Sequence, residues 1–370
     1  MTITSARPRK LFHVFSTLNV GGPQVRFATL ANKFGPEFEH ILFAMDRHYE
    51  STKLLHADTP NEIQDLSFEK GSTARNFFKF RRFLTSLRPD ILITYNWGAI
   101  EWALANIFRS CPHIHVVDGF GPEEADRQLT RRVLFRRLVL SRNTKIIVPS
   151  KTLYKITTET WRLKPEAVTY IPNGIDCSRF GESKDPNLAQ QYGLNANTLV
   201  IGTVAALRPE KNLQRLLSAF QEIPDTLPVR LMIVGDGPER GALETSAKRL
   251  GIDERVIFTG YIPDPAAHLT LFDIFALSSD TEQMPISILE AMSAELPIAG
   301  VDVGDVKHMV SDVNRPLITA RNEESLCEAL SRLVANSDLR ASIGQANRLH
   351  VQAVYNEDDM VKAYARIFST

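Results

Sequence analysis

TLVIGTVAALRPEKNLQRLLSAF, residues 198–220, carries one complete structural unit. Thr198 to Ala205 is a short apolar run with β-branched side chains, which reads as a strand. Leu213, Leu216, Leu217 and Phe220 recur at helical spacing, so the end of the stretch reads as an amphipathic helix. AALRPEKN joins the two as a short loop. A strand that passes through a loop into a helix returns the chain for a further strand laid parallel to the first.

The same alternation runs outward in both directions. Upstream, the expected strands are LFHVFSTL, HILFAM, DILITYN, HIHVVDGF, KIIVPS and VTYIPN, with helices in VRFATLANKF, FFKFRRFLTSL, IEWALANIF and DRQLTRRVLFRRLVL. Downstream, RLMIVGD, RVIFTG, FDIFALS, LPIAGV and RPLIT continue the series, and from Glu323 onward the chain reads as helix only. IPNGIDCSRFGESKDPN interrupts the alternation with polar turn residues, which marks a linker. The expected fold is α/β, with two doubly wound Rossmann-like domains facing each other across a cleft, residues 1–173 and 174–356. In open sheets of this kind ligands gather beyond the carboxyl ends of the strands.

Composition narrows the classes. The 370 residues suffice for two ordinary cores, and 44% hydrophobic with 23% charged residues is a globular balance. With 43 basic against 43 acidic residues, no net field argues for nucleic acid. Cys111, Cys177 and Cys327 are odd in number and widely separated, without metal spacing, which suits reduced thiols in the cytoplasm. RPRKLFHVFSTL begins like a signal peptide, but its apolar run is short and ends in GGPQ. No stretch has the apolar length of a membrane span.

EQMPISILEAM, residues 282–292, puts Glu282 and Glu290 on either side of a proline. Pro285 suits the first turn of a helix running Ile286 to Ala294, with Glu282 in the approach loop and Glu290 about two turns inside. A helix start of this kind offers unpaired N–H groups to a phosphate. Arg208 and Lys211, at the carboxyl edge of the strand before them, are suitable partners for a diphosphate. Gly21 and Gly22, after the first strand, permit close backbone approach, although a tight turn also explains them. GDGPERGAL misses the dinucleotide fingerprint and reads as a turn that caps a strand. FTGYIPD exposes backbone at Tyr261 and Ile262 at a strand end, which suits a nucleobase. Read by themselves, the acidic pair and the basic pair have plain alternatives as a solvated turn and a surface loop.

Taken in order, the glycine-rich loop, IPNGID, RPEKN, GDGPER, FTGY and E-x7-E resemble glycosyltransferase family 4 over almost the whole chain. That resemblance implies the B-type glycosyltransferase fold and a retaining enzyme that moves a sugar from a nucleoside-diphosphate sugar to a sugar or lipid-linked acceptor. It implies that Glu282 faces the donor sugar and Glu290 bonds the ribose. Arg208 and Lys211, with the amides of Ile286 and Ser287 after Pro285, would hold the diphosphate. No metal or other cofactor is expected. A last helix, about 357–370, is expected to pack back on the first domain. Two departures stand out: Gln283 where the family commonly has glycine, and Asp118 in the slot where it usually has histidine, with His113 and His115 nearby. Asp118 is expected to line the acceptor side and bond a hydroxyl, or else to cap its own turn. A nucleotide-sugar epimerase and a catalytically weak sugar-nucleotide-binding protein are the alternatives.

LTRRVLFRRLVLSR, from Leu129, concentrates Arg131, Arg132, Arg136, Arg137 and Arg142 along a helix. One expectation is peripheral contact with anionic lipid on the inner face of a membrane. The other buries Val133, Leu134 and Leu138 and leaves the arginines in water.

Overall fold

The computed structural model of the chain describes residues 7–69, 71–124, 127–181 and 183–369. Two compact units result. One runs to Pro172 and takes in the chain again from Met360, and the other spans Asn173–Asp359.

The first unit is built on a parallel sheet of β1 (Arg9–Phe15), β2 (Phe38–Ala44), β3 (Asn61–Ile63), β4 (Ile91–Tyr95), β5 (His113–Val116), β6 (Thr144–Val148) and β7 (Val168–Tyr170), ordered β3-β2-β1-β4-β5-β6-β7. Most strands read as continuous apolar runs because helices cover both faces. On one face Leu11, Phe15, Leu42 and Ile93 meet Phe27 of the helix Gly22–Phe34 and Tyr364 and Phe368 of the helix Glu357–Ser369. On the other, Phe12, Ile41, Leu92, Ile146 and Val148 meet the helices Thr73–Leu87, Ile100–Ala105 and Thr130–Leu140. The strand β3 escapes the sequence pattern because all three of its residues are exposed at the sheet edge.

Four histidines lie inside this sheet. His13 bonds the Tyr95 hydroxyl at 3.1 Å and His40 at 3.0 Å, while Thr94 bonds His113 at 2.8 Å and His115 at 2.7 Å. Burial holds all four neutral: His40 is lowered to about 4 and His113 to about 3, and His13 and His115 also fall well below the usual value.

The second unit carries β8 (Leu199–Val204), β9 (Val229–Val234), β10 (Val256–Gly260), β11 (Ile274–Leu277), β12 (Ile298–Val301) and β13 (Ile318–Thr319), again parallel, ordered β10-β9-β8-β11-β12-β13. The chain winds outward from β8 to β10 and then restarts beside β8 at β11. A reversal of strand order opens a crevice at the carboxyl ends of the two strands that flank it. In this unit those are β8 and β11. In the first unit they are β1 and β4.

Candidate functional site

The loops that leave β8 and β11 carry the charged residues singled out in the sequence. After β8, Arg208 caps a short turn, Pro209–Lys211, and its side chain is exposed with no acidic partner among the described residues. After β11 come Ser278, Ser279, Asp280 and Glu282. Lys211 Nζ lies 2.5 Å from Glu282 Oε1, and Ser279 Oγ donates to the same oxygen at 2.8 Å. Both side chains are largely shielded, Lys211 at 25% and Glu282 at 11% exposure, so the pair keeps more of its Coulomb attraction than a surface pair.

Backbone contacts fix both loops. Leu207 N–H donates to the Asp236 carbonyl at 2.9 Å and the Leu207 carbonyl accepts from Glu239 N–H at 3.0 Å. A Cβ at Gly237 would collide with the Leu207 carbonyl, so GDGPER serves to pin the arginine loop. On the other side, Asp305 N–H donates to the Gln283 carbonyl at 2.9 Å. Gly304 has φ +56°, and a Cβ there would run into the Glu282 carbonyl. Asp280 accepts from Asn212 Nδ2 at 2.9 Å and from Arg215 at 2.7 Å, while Arg215 also holds the Ser278 carbonyl. Asn173, in IPNGID, donates to the Met284 carbonyl at 2.9 Å and so anchors the approach to Pro285. Sequence reading assigned no work to Asn173, Asp280 or Arg215, whose partners lie 63 or more positions away.

The helix beyond them runs Ile286–Ser293, with Pro285 as its cap rather than its first turn, because Pro285 is extended at φ −67°, ψ 125°. Glu290 is therefore the fifth helical residue, little more than one turn in rather than two. No side chain caps this helix start, and Ile286 and Ser287 remain half-buried, so their N–H groups keep their capacity for an anion. Burial pushes the Glu290 carboxyl up to about 7, against the pull of Arg179, which itself pairs with Asp264 at 3.0 Å. Tyr261 follows β10 and is 57% exposed, and Ile262 packs on the core beside it.

In the first unit, Gly21 caps the helix Gly22–Phe34 in extended backbone, and Gln24 Nε2 ties that turn to the Thr17 carbonyl at 2.9 Å. Asp118 N–H donates to Asn96 Oδ1 at 2.7 Å beyond β4. The Asp118 carboxylate is 6% exposed and lies 2.6 Å from Arg26, itself 4% exposed and set over the Tyr364 ring. This ion pair was not foreseen. Burial works against the Arg26 charge, but Asp118 outweighs it and raises the guanidinium pKa. His113 and His115 are strand residues sealed in the sheet, so neither reaches the loop that Asp118 occupies.

The arginine-rich helix departs from the sequence reading at Arg132 and Arg136, which turn inward, and at Leu134 and Leu138, which do not. Arg136 is buried, with both terminal nitrogens on Glu124 at 2.9 and 2.6 Å and its guanidinium 4.8 Å from the Trp161 ring centroid. Arg132 also reaches Glu124, at 3.2 Å, and is 13% exposed. Neither can meet a membrane. Glu124 is sealed in GPEE, where burial opposes ionisation but the two arginines hold its pKa below the usual range. Because that charge turns the arginines inward, Leu134 and Leu138 face out, each 60% exposed, beside exposed Arg131 and Arg137.

No described helix is long and apolar enough to cross a membrane. Two family profiles match: Glycosyltransferase Family 4 over residues 20–179, and Glycosyl transferases group 1 over residues 184–350. Among curated relatives, N-acetyl-alpha-D-glucosaminyl L-malate synthase of Bacillus anthracis is 25% identical over 58% of this chain and 57% of its own length. A GDP-mannose-dependent phosphatidylinositol monomannoside mannosyltransferase of Mycolicibacterium smegmatis is 29% identical over 49% of this chain and 51% of its own. The chain thus spans little more than half the length of these two relatives. Among solved structures, Anabaena HepE in complex with UDP superposes with a TM-score of 0.83 at 20% identity, covering 98% of this chain and 99% of that one. WaaG, a glycosyltransferase involved in lipopolysaccharide biosynthesis, gives 0.77 at 18% identity over 97% and 99%. The fold is the B-type glycosyltransferase fold shared with these proteins.

Proposed function

The chain belongs to glycosyltransferase family 4, and from that premise we propose that it is a retaining glycosyltransferase moving a hexose from a nucleoside-diphosphate sugar to a hydroxyl of a sugar or lipid-linked acceptor. The observation that carries this reading is the meeting of Lys211, Glu282 and Ser279 beside exposed Arg208 and the uncapped Ile286 helix. Cations and free amides at a topological switch point suit a diphosphate. Arg208, Lys211 and the Ile286 and Ser287 amides hold it, Glu290 takes the ribose hydroxyls, and backbone near Tyr261 and Ile262 takes the base. Glu282 contacts the donor sugar. Gly21 and Gly22 bind the donor through their backbone, and Asp118 orients the acceptor.

In the transfer, the bond from the anomeric carbon to the diphosphate breaks, and the acceptor oxygen bonds that carbon as its proton passes to the departing diphosphate. Negative charge then grows on the diphosphate. Fixed cations and amides stabilise it without reorganising, so the reaction needs no divalent ion. UDP and UDP-glucose complexes of HepE support a nucleotide-sugar donor, and relatives acting on glycans and glycolipids support a role in bacterial-type glycan synthesis. Free cysteines and a nucleotide-sugar donor suit the cytoplasm, with peripheral contact at the inner membrane face for a lipid-linked acceptor. Incubation with a panel of nucleotide sugars and acceptors in EDTA tests the reading. A product whose anomeric proton coupling keeps the donor's configuration is expected. Inversion overturns retention, and activity lost to EDTA and regained with magnesium overturns metal independence.

A further inference from the structure

Glu124 and Arg136 are sealed in the first unit, and neither has a part in the transfer as described so far. A buried ion pair is a poor stabiliser, because an apolar pair of similar volume often serves as well or better. What it can supply is direction. Glu124 closes the loop after β5 on itself: its N–H donates to the Gly121 carbonyl at 2.9 Å, and its carboxylate accepts from Leu129 N–H at 3.1 Å as well as from both arginines. Arg136 meets that carboxylate with two nitrogens, so the fork fixes the plane of the guanidinium.

That plane lies among three rings. The guanidinium carbon is 4.9 Å from the Trp97 ring centroid, 5.4 Å from that of Phe120 and 4.8 Å from that of Trp161. Trp97 follows Asn96 directly, and Phe120 follows Asp118 by two positions. Asn96 Oδ1 accepts the Asp118 N–H at 2.7 Å, while Asn96 N–H donates to the Val116 carbonyl at 2.9 Å. The loops after β4 and β5 are therefore joined twice, through Asn96 and Asp118 and again through Trp97, Arg136 and Phe120. Asn96 has φ +54° and ψ −167°, a conformation that residues other than glycine rarely adopt. Backbone strain of this kind persists only where the surroundings over-determine it, and it gathers at functional sites. Trp97, seated on Arg136, holds the chain on the far side of Asn96.

We propose that Glu124 and Arg136 are positioning residues for the acceptor edge of the first unit. Glu124 orients Arg136, Arg136 seats Trp97 and Phe120, and those two rings keep Asn96 in its strained form, so that Asp118 meets the acceptor at a fixed place. Helix packing alone would be served by an apolar side chain at position 136. A cation held in plane against rings from both loops, beside a residue at positive φ, instead serves geometry. The proposal rests on the reading of Asp118 as an acceptor contact.

Glu124→Gln with Arg136→Met tests it, because removing both charges strands neither and keeps most of the volume. Arg132 retains Glu123 at 3.1 Å. The donor and acceptor used are the pair that gives the fastest wild-type transfer in the nucleotide-sugar panel. Acceptor kcat/KM is expected to fall at least tenfold, with nucleoside-diphosphate affinity and melting temperature close to wild type. Acrylamide quenching of tryptophan fluorescence reads the loops without substrate. Trp97 is half-buried while Trp102 and Trp161 are sealed, so stronger quenching in the variant reports a loosened cage. Should the double variant melt early, Arg136→Lys keeps the charge on Glu124 but not the flat stack, and the same selective loss is expected of it. Unchanged acceptor kinetics or unchanged quenching overturns the proposal. Donor and acceptor parameters that fall together with the melting temperature in both variants overturn it as well, and make the pair structural. A wild type that transfers to no acceptor would sink the transferase reading, and quenching would then decide the cage alone.

Discussion

Lys211 Nζ and Glu282 Oε1 stand 2.5 Å apart, which makes the cation assigned to the diphosphate and the carboxylate assigned to the donor sugar one ion pair. A change at either end therefore alters both. Arg208, exposed and outside this pair, should act on the diphosphate only.

Replacing Arg208 and Lys211 together with alanine is expected to weaken nucleoside-diphosphate binding at least tenfold, since charge-assisted bonds contribute about 1.5–3 kcal/mol each. Calorimetry checks this, with thermal melting as the control for folding. Unchanged affinity would remove the pair from the site.

Single substitutions should separate their roles. Arg208→Met is expected to cost affinity with little further loss of turnover, whereas Lys211→Met should lose both, because Glu282 is left with Ser279 as its remaining partner among the bonds seen here. Glu282→Ala should lower turnover far more than affinity. The double variant Lys211→Met with Glu282→Ala should fall short of the sum of the single effects, as for residues in contact. Additive effects in kcat would mean the pair does not act as a unit.

Much of this architecture is legible in the sequence, and the limits have physical causes. Strands such as β8 and β9 are readable because both faces are covered and the runs are mostly apolar, Thr203 and Arg230 apart. The strand β3 has no buried side chain and leaves no pattern. Lys211 and Glu282 can be singled out because each follows a strand, but their contact spans 71 positions and no local period encodes it. The arginine helix misleads for a different reason. Periodicity alone sends Leu134 and Leu138 inward, and only the buried charge of Glu124, in a Gly-Pro turn that looks solvated, rotates the helix the other way.

Glu290 gives a pH signature. Its carboxyl is raised to about 7 in the fold, above the ordinary 4.5, so the native state holds the proton more tightly than the unfolded chain. The stability this contributes is complete below about 4.5 and is lost as pH rises through about 7. Glu290→Gln should therefore gain stability over wild type at pH 8 and not at pH 4. Ribose hydroxyls donate to the ionised form, so wild-type nucleotide affinity should rise through about pH 7 and the Gln variant should be flat. Calorimetry across pH decides, and a pH-independent wild type would contradict the assignment.

The sheet histidines act in the opposite sense. His40 and His113 titrate near 4 and 3, below the ordinary 6.5, so the unfolded chain binds their protons first. Their contribution is present above about 6.5 and lost as pH falls toward 4 and then 3. Denaturant unfolding should show stability dropping with acid, and His40→Gln, which keeps a hydrogen-bonding group beside His13, should make the drop shallower. An unchanged slope would exclude His40 as a source.

Asp118 poses the last question, whether it touches the acceptor or only holds Arg26. The carboxylate is 6% exposed and 2.6 Å from a guanidinium that is 4% exposed, so neutralising Asp118 takes a close counter-charge away from a buried arginine. Breaking a buried pair in this way costs about 3–5 kcal/mol, whereas removing both charges is far milder. Asp118→Asn is therefore expected to lower the melting temperature, contrary to a simple turn cap, for which Asn serves as well as Asp. Arg26→Gln with Asp118→Asn should recover most of that loss. Turnover in this stable double variant then separates the roles. A carboxylate that orients an acceptor hydroxyl should leave it at least tenfold slower, about 1.4 kcal/mol of transition-state stabilisation, with nucleotide affinity unchanged. Normal turnover in the double variant would make Asp118 a structural counter-ion for Arg26 and take it off the acceptor site.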